Sequence, residues 1–317
     1  MSKLESIYPE GRIVLREVGL RDGLQLTRRY PTTDAKRDWL ARERVAGVRH
    51  FEVGSFLPAR SAPQFADVTE MIAACRAQNV TSAALALNDR GVVDAVGSGV
   101  DEIVCVVSAT EAHSQANMRR SIADAVALVQ KTVRLAAKTE HRPMVYAGIA
   151  MAFGCSISGD VAADQVVRIA VACAEAGADV IGLADTVGYA GPDQIRSICA
   201  DVASHIGAAR LGIHLHDTRG MGMANAAAAL DSGVRILDAS LGGLGGCPFA
   251  PGATGNIVME DLVFLCERKG FATGIDLDRL IGVRGIPAAE MPEEQLYGAM
   301  ARAGLPDVSW QATGLQN

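Results

Sequence analysis

Short apolar, β-rich runs alternate with amphipathic stretches of helical length along this chain, and the cycle repeats eight times. Strand candidates are Ile13–Val18, His50–Val53, Thr81–Leu87, Glu102–Val107, Met144–Met151, Val180–Ala184, Arg210–His216 and Ile236–Leu241. Between them lie helix candidates such as Thr33–Ala46, Gln64–Gln78, Ile122–Thr139, Ala162–Glu175, Gln194–Ile206 and Met223–Ser232, and Ile257–Lys269 follows the eighth strand. Parallel neighbours need a crossover connection, usually a helix, so the pattern predicts a parallel sheet of βα units. Eight units predict closure into a (β/α)8 TIM barrel, because an open doubly wound sheet usually stops at about five to seven strands. Ala176-Gly177 and Ser232-Gly233 supply helix-ending glycines at two junctions. The catalytic barrel is expected over residues 1–270. Pro287, Pro292 and Pro306 then interrupt short helical patches, so residues 271–317 read as a C-terminal helical appendage, packed on the barrel or a neighbouring subunit.

Composition narrows the function class. At 317 residues, 49% hydrophobic and with 33 glycines, the chain has the material for one well-filled α/β core. The net charge is −6 and no Lys/Arg run exceeds two residues, which argues against nucleic acid as a partner. No stretch approaches the roughly 18 consecutive apolar residues of a membrane span, and the N-terminus lacks a signal-peptide core, so a soluble cytoplasmic protein is expected. The seven cysteines are odd in number and contain no C-x-x-C pair, which argues against disulfides and structural zinc.

In such a barrel the polar residues just after each strand gather at one face, where the chemistry is built. Here those residues are Arg21-Asp22 after strand one, Glu52 in strand two, Asp185 after strand six, His214-x-His216 in strand seven, and a Gly-rich run from Gly242 to Cys247, then Asn256, after strand eight. Residues two apart in a strand point to one side, so His214 and His216 can bind one ion together; the alternative is a histidine pair hydrogen-bonded inside a polar lumen. Asp22 can reach across the mouth to the same ion, and the Asn256 carbonyl adds a fourth donor. That mixed N/O set suits Mg²⁺ or Mn²⁺, with Zn²⁺ or Co²⁺ as substitutes. Arg21 can stabilise a developing enolate or simply pair with a carboxylate. Glu52 and Asp185, if buried and charged, each need an arginine, a metal or backbone donors; either can hold a histidine tautomer. Six cysteines read as core filler, whereas Cys247 lies among glycines on a segment able to close over substrate and act as an acid. That Gly-rich segment lacks the Lys-Ser/Thr of a phosphate-binding loop and reads as a mobile lid.

EVGLRDGLQ (17–25), FEVGSF (51–56) with PQFAD (63–67), HLHDTRGMGMAN (214–225) and GGLGGCPFAPGATGN (242–256) with ED (260–261) resemble the 3-hydroxy-3-methylglutaryl-CoA lyases, metallolyase barrels with a strand-one Arg-Asp signature. The resemblance runs from about Arg12 to about Leu280. It implies that Asp22, His214, His216 and Asn256 hold a divalent metal, that Arg21, Glu52, Asp185 and Glu260 support catalysis, and that Cys247 acts from the lid. The implied substrate is an acyl-CoA, 3-hydroxy-3-methylglutaryl-CoA or a relative such as citramalyl-CoA, cleaved between C2 and C3 to acetyl-CoA and a keto acid. Asp22, directly or through water, is then the expected base. A homodimer or homotetramer and a role in leucine degradation also follow from the resemblance.

Pocket-wall positions depart from the family pattern: Leu26-Thr27 stand in place of Asn-Glu, Arg60-Ser61 in place of Lys-Trp, and Arg219 in place of Tyr. Arg219 offers a carboxylate clamp, or a bridge to Asp217 or a neighbouring loop. Two rival functions are a Claisen-condensing synthase of the same barrel group, against which the GGCP lid argues, and a non-catalytic barrel that binds metal or CoA esters, against which the complete residue set argues.

Overall fold

The computed structural model describes residues 2–246 and 255–307. The chain runs α1 (Lys3–Ile7), β1 (Val14–Glu17), α2 (Thr33–Ala46), β2 (His50–Ser55), α3 (Val68–Ala77), β3 (Thr81–Leu85), α4 (Asp89–Ser98), β4 (Glu102–Ser108), α5 (Glu111–Met118), α6 (Ile122–Ala136), β5 (Met144–Ala150), α7 (Ala163–Glu175), β6 (Val180–Asp185), α8 (Pro192–Ile206), β7 (Leu211–Leu215), α9 (Gly222–Asp231), β8 (Ile236–Ala239) and α10 (Met259–Arg268). Three short helices, α11 (Leu277–Val283), α12 (Gly285–Glu290) and α13 (Ala299–Ala303), complete the described chain. The eight strands pair in sequence order, all parallel, and β1 closes on β8. The expected (β/α)8 barrel is the fold.

Side-chain alternation along each strand builds two cores. In β4, Ile103, Cys105 and Val107 face outward beneath the helices, while Glu102, Val104 and Val106 face the lumen. The sequence pattern implies a helix between strands three and four but gives it no residue range. That segment is α4, whose Gly91 and Gly97 lower helix propensity; its start is fixed by Asn88, whose Oδ1 accepts from the Gly91 N–H at 2.8 Å.

At the lower end of the barrel, α1 inserts Tyr8 as a plug. Its hydroxyl donates to Glu102 at 2.6 Å and its ring stacks on His50 with centroids 5.2 Å apart. Arg16 joins this floor, donating to Glu102 at 2.7 Å and to Asp238 at 2.9 Å, with its guanidinium 4.3 Å from the Tyr146 ring centre. Tyr146 fits because β6 carries Gly182: a Cβ there would lie 2.1 Å from the tyrosine oxygen. A single buried Arg between two carboxylates is stable only with both partners, since removing either strands a charge in low dielectric.

The residues after α10 pack on the barrel itself: the Asp276 N–H donates to the Ala46 carbonyl at 2.7 Å, and α11 lies along α2. No helix among the described residues is long and apolar enough to cross a membrane.

Candidate active site

The chain leaves β1 through Gly19–Gly23, a single π-helical turn that turns the Arg21 and Asp22 side chains over the upper barrel mouth. Such turns are rare and concentrate at functional sites. Arg21 bridges two carboxylates, 2.6 Å from Asp22 Oδ1 and 2.8 Å from Glu52 Oε2. Burial acts to raise the Asp22 pKa, but Arg21 with His216 and His214 outweighs it and holds the carboxyl well below the usual range. Burial pushes Glu52 up, and Arg21 offsets only part of that. Glu52 Oε1 is buried without a partner among the described residues.

His214 and His216 project from the end of β7 with their Nε2 atoms 3.1 Å apart, and Asp22 Oδ2 lies 3.8 Å from His216 Nε2. These three side chains form a group able to hold a metal ion. Two donors about 2.1 Å from one ion and at right angles to it stand about 3 Å apart, so the facing nitrogens have the separation of adjacent ligands. The chemistry of the fourth residue agrees. Asn256 pairs with His216 in an antiparallel bridge; its Nδ2 donates to Asp22 Oδ2 and to the Leu244 carbonyl, each at 2.9 Å, while its Oδ1 is buried with no partner among the described residues. An orphaned carbonyl oxygen beside two imidazoles and a carboxylate fits a cation. Gly245 makes the approach possible: it sits at φ +134°, and a Cβ there would meet Asn256 Nδ2 at 2.5 Å.

Asp238 of β8 carries no mark in the sequence pattern. Its Oδ2 lies 3.1 Å from His214 Nδ1 and its Oδ1 accepts from Arg16, so the barrel floor is wired to His214. A donor N–H at Nδ1 leaves the lone pair on Nε2, the tautomer an ion requires. Burial would raise Asp238, yet Arg16 and His214 bring it below its ordinary value. Its short apolar run, ILDAS, gives no local sign of this role, which exists only once β8 closes between β7 and β1.

Asp185 takes backbone donors, accepting from the N–H groups of Tyr189 at 2.8 Å and Ala190 at 3.2 Å, and so shapes the loop after β6. Burial nonetheless keeps its carboxyl up. Glu260, in the first turn of α10, accepts from the Gly242 N–H at 3.0 Å and from Arg284 at 2.6 Å. The Tyr297 N–H donates to the Gly242 carbonyl at 2.7 Å, so the C-terminal extension grips the root of the Gly-rich segment. Cys247 lies outside the described residues. The other six cysteines are buried, and burial pushes Cys105 up to about 11 and Cys173, Cys199 and Cys266 up to about 12. Cys155 alone among them goes down: burial is outweighed by Thr110 and by the Ser158 and Ile157 N–H groups. Arg219 donates to the Val187 and Gly188 carbonyls and lies over Tyr189, the loop-bridging role rather than the clamp. Ser61 lines the pocket, whereas Leu26 is exposed at its edge.

The pocket lined by Arg21, Asp22, Glu52, His214, His216 and Asp238 has a volume of about 490 Å³, within the roughly 300–1,000 Å³ of small-molecule sites; Asp185, Asn256 and Glu260 support it from outside that lining. A family model described as HMGL-like matches residues 12–286. The hydroxymethylglutaryl-CoA lyase of Bacillus subtilis is 33% identical over 91% of this chain and 94% of its own, and the (R)-citramalyl-CoA lyase of Chloroflexus aurantiacus is 36% identical over 85% and 88%. Among solved structures, an HMG-CoA lyase from Acinetobacter baumannii in complex with coenzyme A and 3-methylmalate superposes with a TM-score of 0.85 at 36% identity, covering 93% of this chain and 96% of that one. The chain therefore belongs to the HMGL-like family and is a lyase of the hydroxymethylglutaryl-CoA lyase type.

Proposed function

We propose that this lyase cleaves 3-hydroxy-3-methylglutaryl-CoA, or a close relative such as citramalyl-CoA, between C2 and C3. The observation that carries the reading is the convergence of Asp22, His214, His216 and the orphaned Asn256 Oδ1 beside an Arg21–Glu52 pair. A divalent ion bound there, Mg²⁺ or Mn²⁺ from the mixed donor set, supplies Lewis-acid polarisation of the substrate's oxygens. Asp22, held low, is a good ligand and a weak base. Glu52, held up and with Oε1 free of partners among the described residues, retains a proton better, so we assign it the C3 hydroxyl proton and leave Asp22 with the ion. As the hydroxyl oxygen becomes a carbonyl, the C2–C3 bond breaks and its electron pair passes to C2 as the thioester enolate. Arg21 faces that negative charge. Cys247, on the Gly-rich segment rooted at Gly242, then delivers the proton to C2, completing acetyl-CoA and the released keto acid.

Acetyl-CoA release from both esters, with Mg²⁺ or Mn²⁺ and a thiol reductant, tests the reading beside Cys247→Ala, Arg21→Met and Glu52→Gln. Metal-dependent release that falls by about 10²–10³ in Arg21→Met is the expected result, and in Glu52→Gln the acidic limb of the pH profile disappears. Absence of cleavage of either ester by metal-loaded protein sinks the proposal.

A further inference from the structure

Arg16 points into the lumen, so Glu17 beside it points outward, beneath the helices. There three carboxyl groups are completely buried: Glu17 of β1, Glu43 of α2 and Glu260 of α10. Among the described residues only Glu260 of the three has a cation in contact, Arg284 at 2.6 Å. Glu43 instead lies within hydrogen-bonding reach of Glu17 and of the indole of Trp39, which stands one helical turn before it on α2. With every carboxyl ionised, Glu17 Oε2 and both Glu43 oxygens are buried without a partner among the described residues. Two neighbouring carboxylates cannot both keep their charge away from water. At least one proton therefore lies between Glu43 and Glu17, and it turns orphaned acceptors into a donor and an acceptor.

What Glu17 holds gives that proton its importance. Glu17 Oε1 accepts from the Gly19 N–H at 2.6 Å and from the Leu241 N–H at 3.2 Å. Gly19 opens the π-helical turn that carries Arg21 and Asp22, and Leu241 opens the short turn Leu241–Gly243 at the root of the Gly-rich segment. One carboxyl thus ties together the two segments that meet at the barrel mouth. Gly19 is also pressed from behind by the same groups: a Cβ there would lie 2.5 Å from Glu17 Oε1 and 3.2 Å from the Trp39 ring. Any displacement of the Glu17 carboxyl is therefore passed directly to the turn. The titratable and charged groups facing Glu43 are Glu17 from β1 and Glu260 from α10, with Arg284 beyond Glu260; α2 itself adds only the Trp39 N–H. A negative charge on Glu43 would meet repulsion from two sides, and of its neighbours Glu17 is the one attached to the Arg21–Asp22 turn.

We infer that Glu43 is a positioning residue: as proton donor to Glu17 it steadies the carboxyl from which the Arg21–Asp22 turn and the root of the Gly-rich segment hang, and loss of that proton loosens both. Burial pushes both carboxyls up, against the pull of the Gly19 and Leu241 N–H groups on Glu17, and brings Glu43 up to about 8. The device accordingly works within reach of ordinary solution pH. It rests on the placement of Arg21 and Asp22 and not on which ester is cleaved.

The test reads the proton and the positioning separately, on the full chain loaded with Mg²⁺. In a Trp310→Phe background, which removes the other of the two tryptophans, the emission of Trp39 followed across the pH range should change in one step with a midpoint near 8, and Glu43→Gln should abolish the step. Hydrogen exchange, corrected for the intrinsic effect of pH, then reads the two tethered segments. Between pH 7 and pH 9 the amides of residues 19–23 and 241–243 should lose about tenfold in protection, the linkage value of one pH unit, and in Glu43→Gln, whose amide donates to Glu17 at every pH, they should keep it. Glu17→Gln, which retains an acceptor for both N–H groups and removes the repulsion, should keep it as well. A Trp39 signal without a step, or a loss of protection that is equal in parent and variants, overturns the inference; so does a step with no loss of protection in the two segments. Because neither readout needs turnover, failure of the lyase reading would leave this result standing.

Discussion

Seen down its axis, the barrel lumen has two halves built from the same alternating strand pattern and put to opposite uses. The half formed by β7, β8, β1 and β2 points Arg16, Glu52, His214 and Asp238 inward, with Arg21 and Asp22 above them. The half formed by β3 to β6 points inward mainly short or branched apolar side chains. In the first, each charge is held by another: Arg16–Asp238–His214 is one chain, anchored at the floor by Glu102 reaching across from β4 of the other half, and Asp22–Arg21–Glu52 is a second. Such networks cost solvation and are retained where placement matters more than stability. The second half contributes hydrophobic burial and shape. Chemistry and shape are thus assigned to different strands of one fold.

The strongest way to break this division is to remove a ligand from the charged half. His214→Ala should strip bound metal, read by metal analysis of the purified protein, and lower kcat by about 10³-fold or more, several kcal/mol of lost stabilisation. Its stability should hardly fall, because a buried polar group held by others is removed rather than a packed apolar one. Retained stoichiometric metal would mean that the ligand set lies elsewhere. One step outward, Asp238→Asn keeps the shape but weakens the acceptor for His214 Nδ1. A loss of about 10–100-fold in metal affinity is expected, with a matching loss of rate at limiting metal that excess metal restores. A loss of rate that excess metal leaves untouched would show that Asp238 does not act through His214.

How much of this could be read in advance depended on how local the signal was. The strands and most of the helices declared themselves by periodicity, and Arg21-Asp22 and His214-x-His216 by their position at strand ends. Asp238, Arg16 and Tyr8 carry no such mark. They sit on β8, on β1 and just after α1, Asp238 lying 222 residues from Arg16, and become a network only through barrel closure and the docking of α1. The grip of Arg284 and Tyr297 on the Gly242 region likewise required the C-terminal helices to be placed.

The apolar half sharpens the comparison from the other side. Met144, fully buried on β5 beneath the pocket and packed with Leu85 and Tyr146, contributes no polar atom to the site. Met144→Ala should cost about 2–5 kcal/mol through lost burial and a cavity. Denaturant unfolding reads this, while turnover per folded molecule stays within a few fold. If the specific activity of the folded fraction fell as far as in Asp238→Asn, the two halves would be mechanically coupled and the division would fail.

The last expected effect lies behind the charged half, where one buried carboxyl, that of Glu43, is kept neutral rather than paired with a cation. Glu43 of α2 is completely buried near Glu17 of β1 and Glu260 of α10. Burial, with Glu260 adding to it, pushes Glu43 up to about 8. An unfolded Glu43 loses its proton near 4.5; between that pH and about 8 the unfolded chain releases a proton that the folded one keeps. The linkage slope is therefore negative: stability is full below about 4.5 and declines as pH rises through 8. Glu43→Gln, neutral at every pH, should match the parent near pH 4.5 and exceed it in stability by a growing margin as the pH rises toward 8, read as a rising difference in Tm. Paired Tm measurements across pH 4.5–9 read the difference. A variant that loses stability most at high pH would show that Glu43 is ionised and held by a cation, which would make the back of β1 an extension of the charged lumen rather than its neutral counterpart.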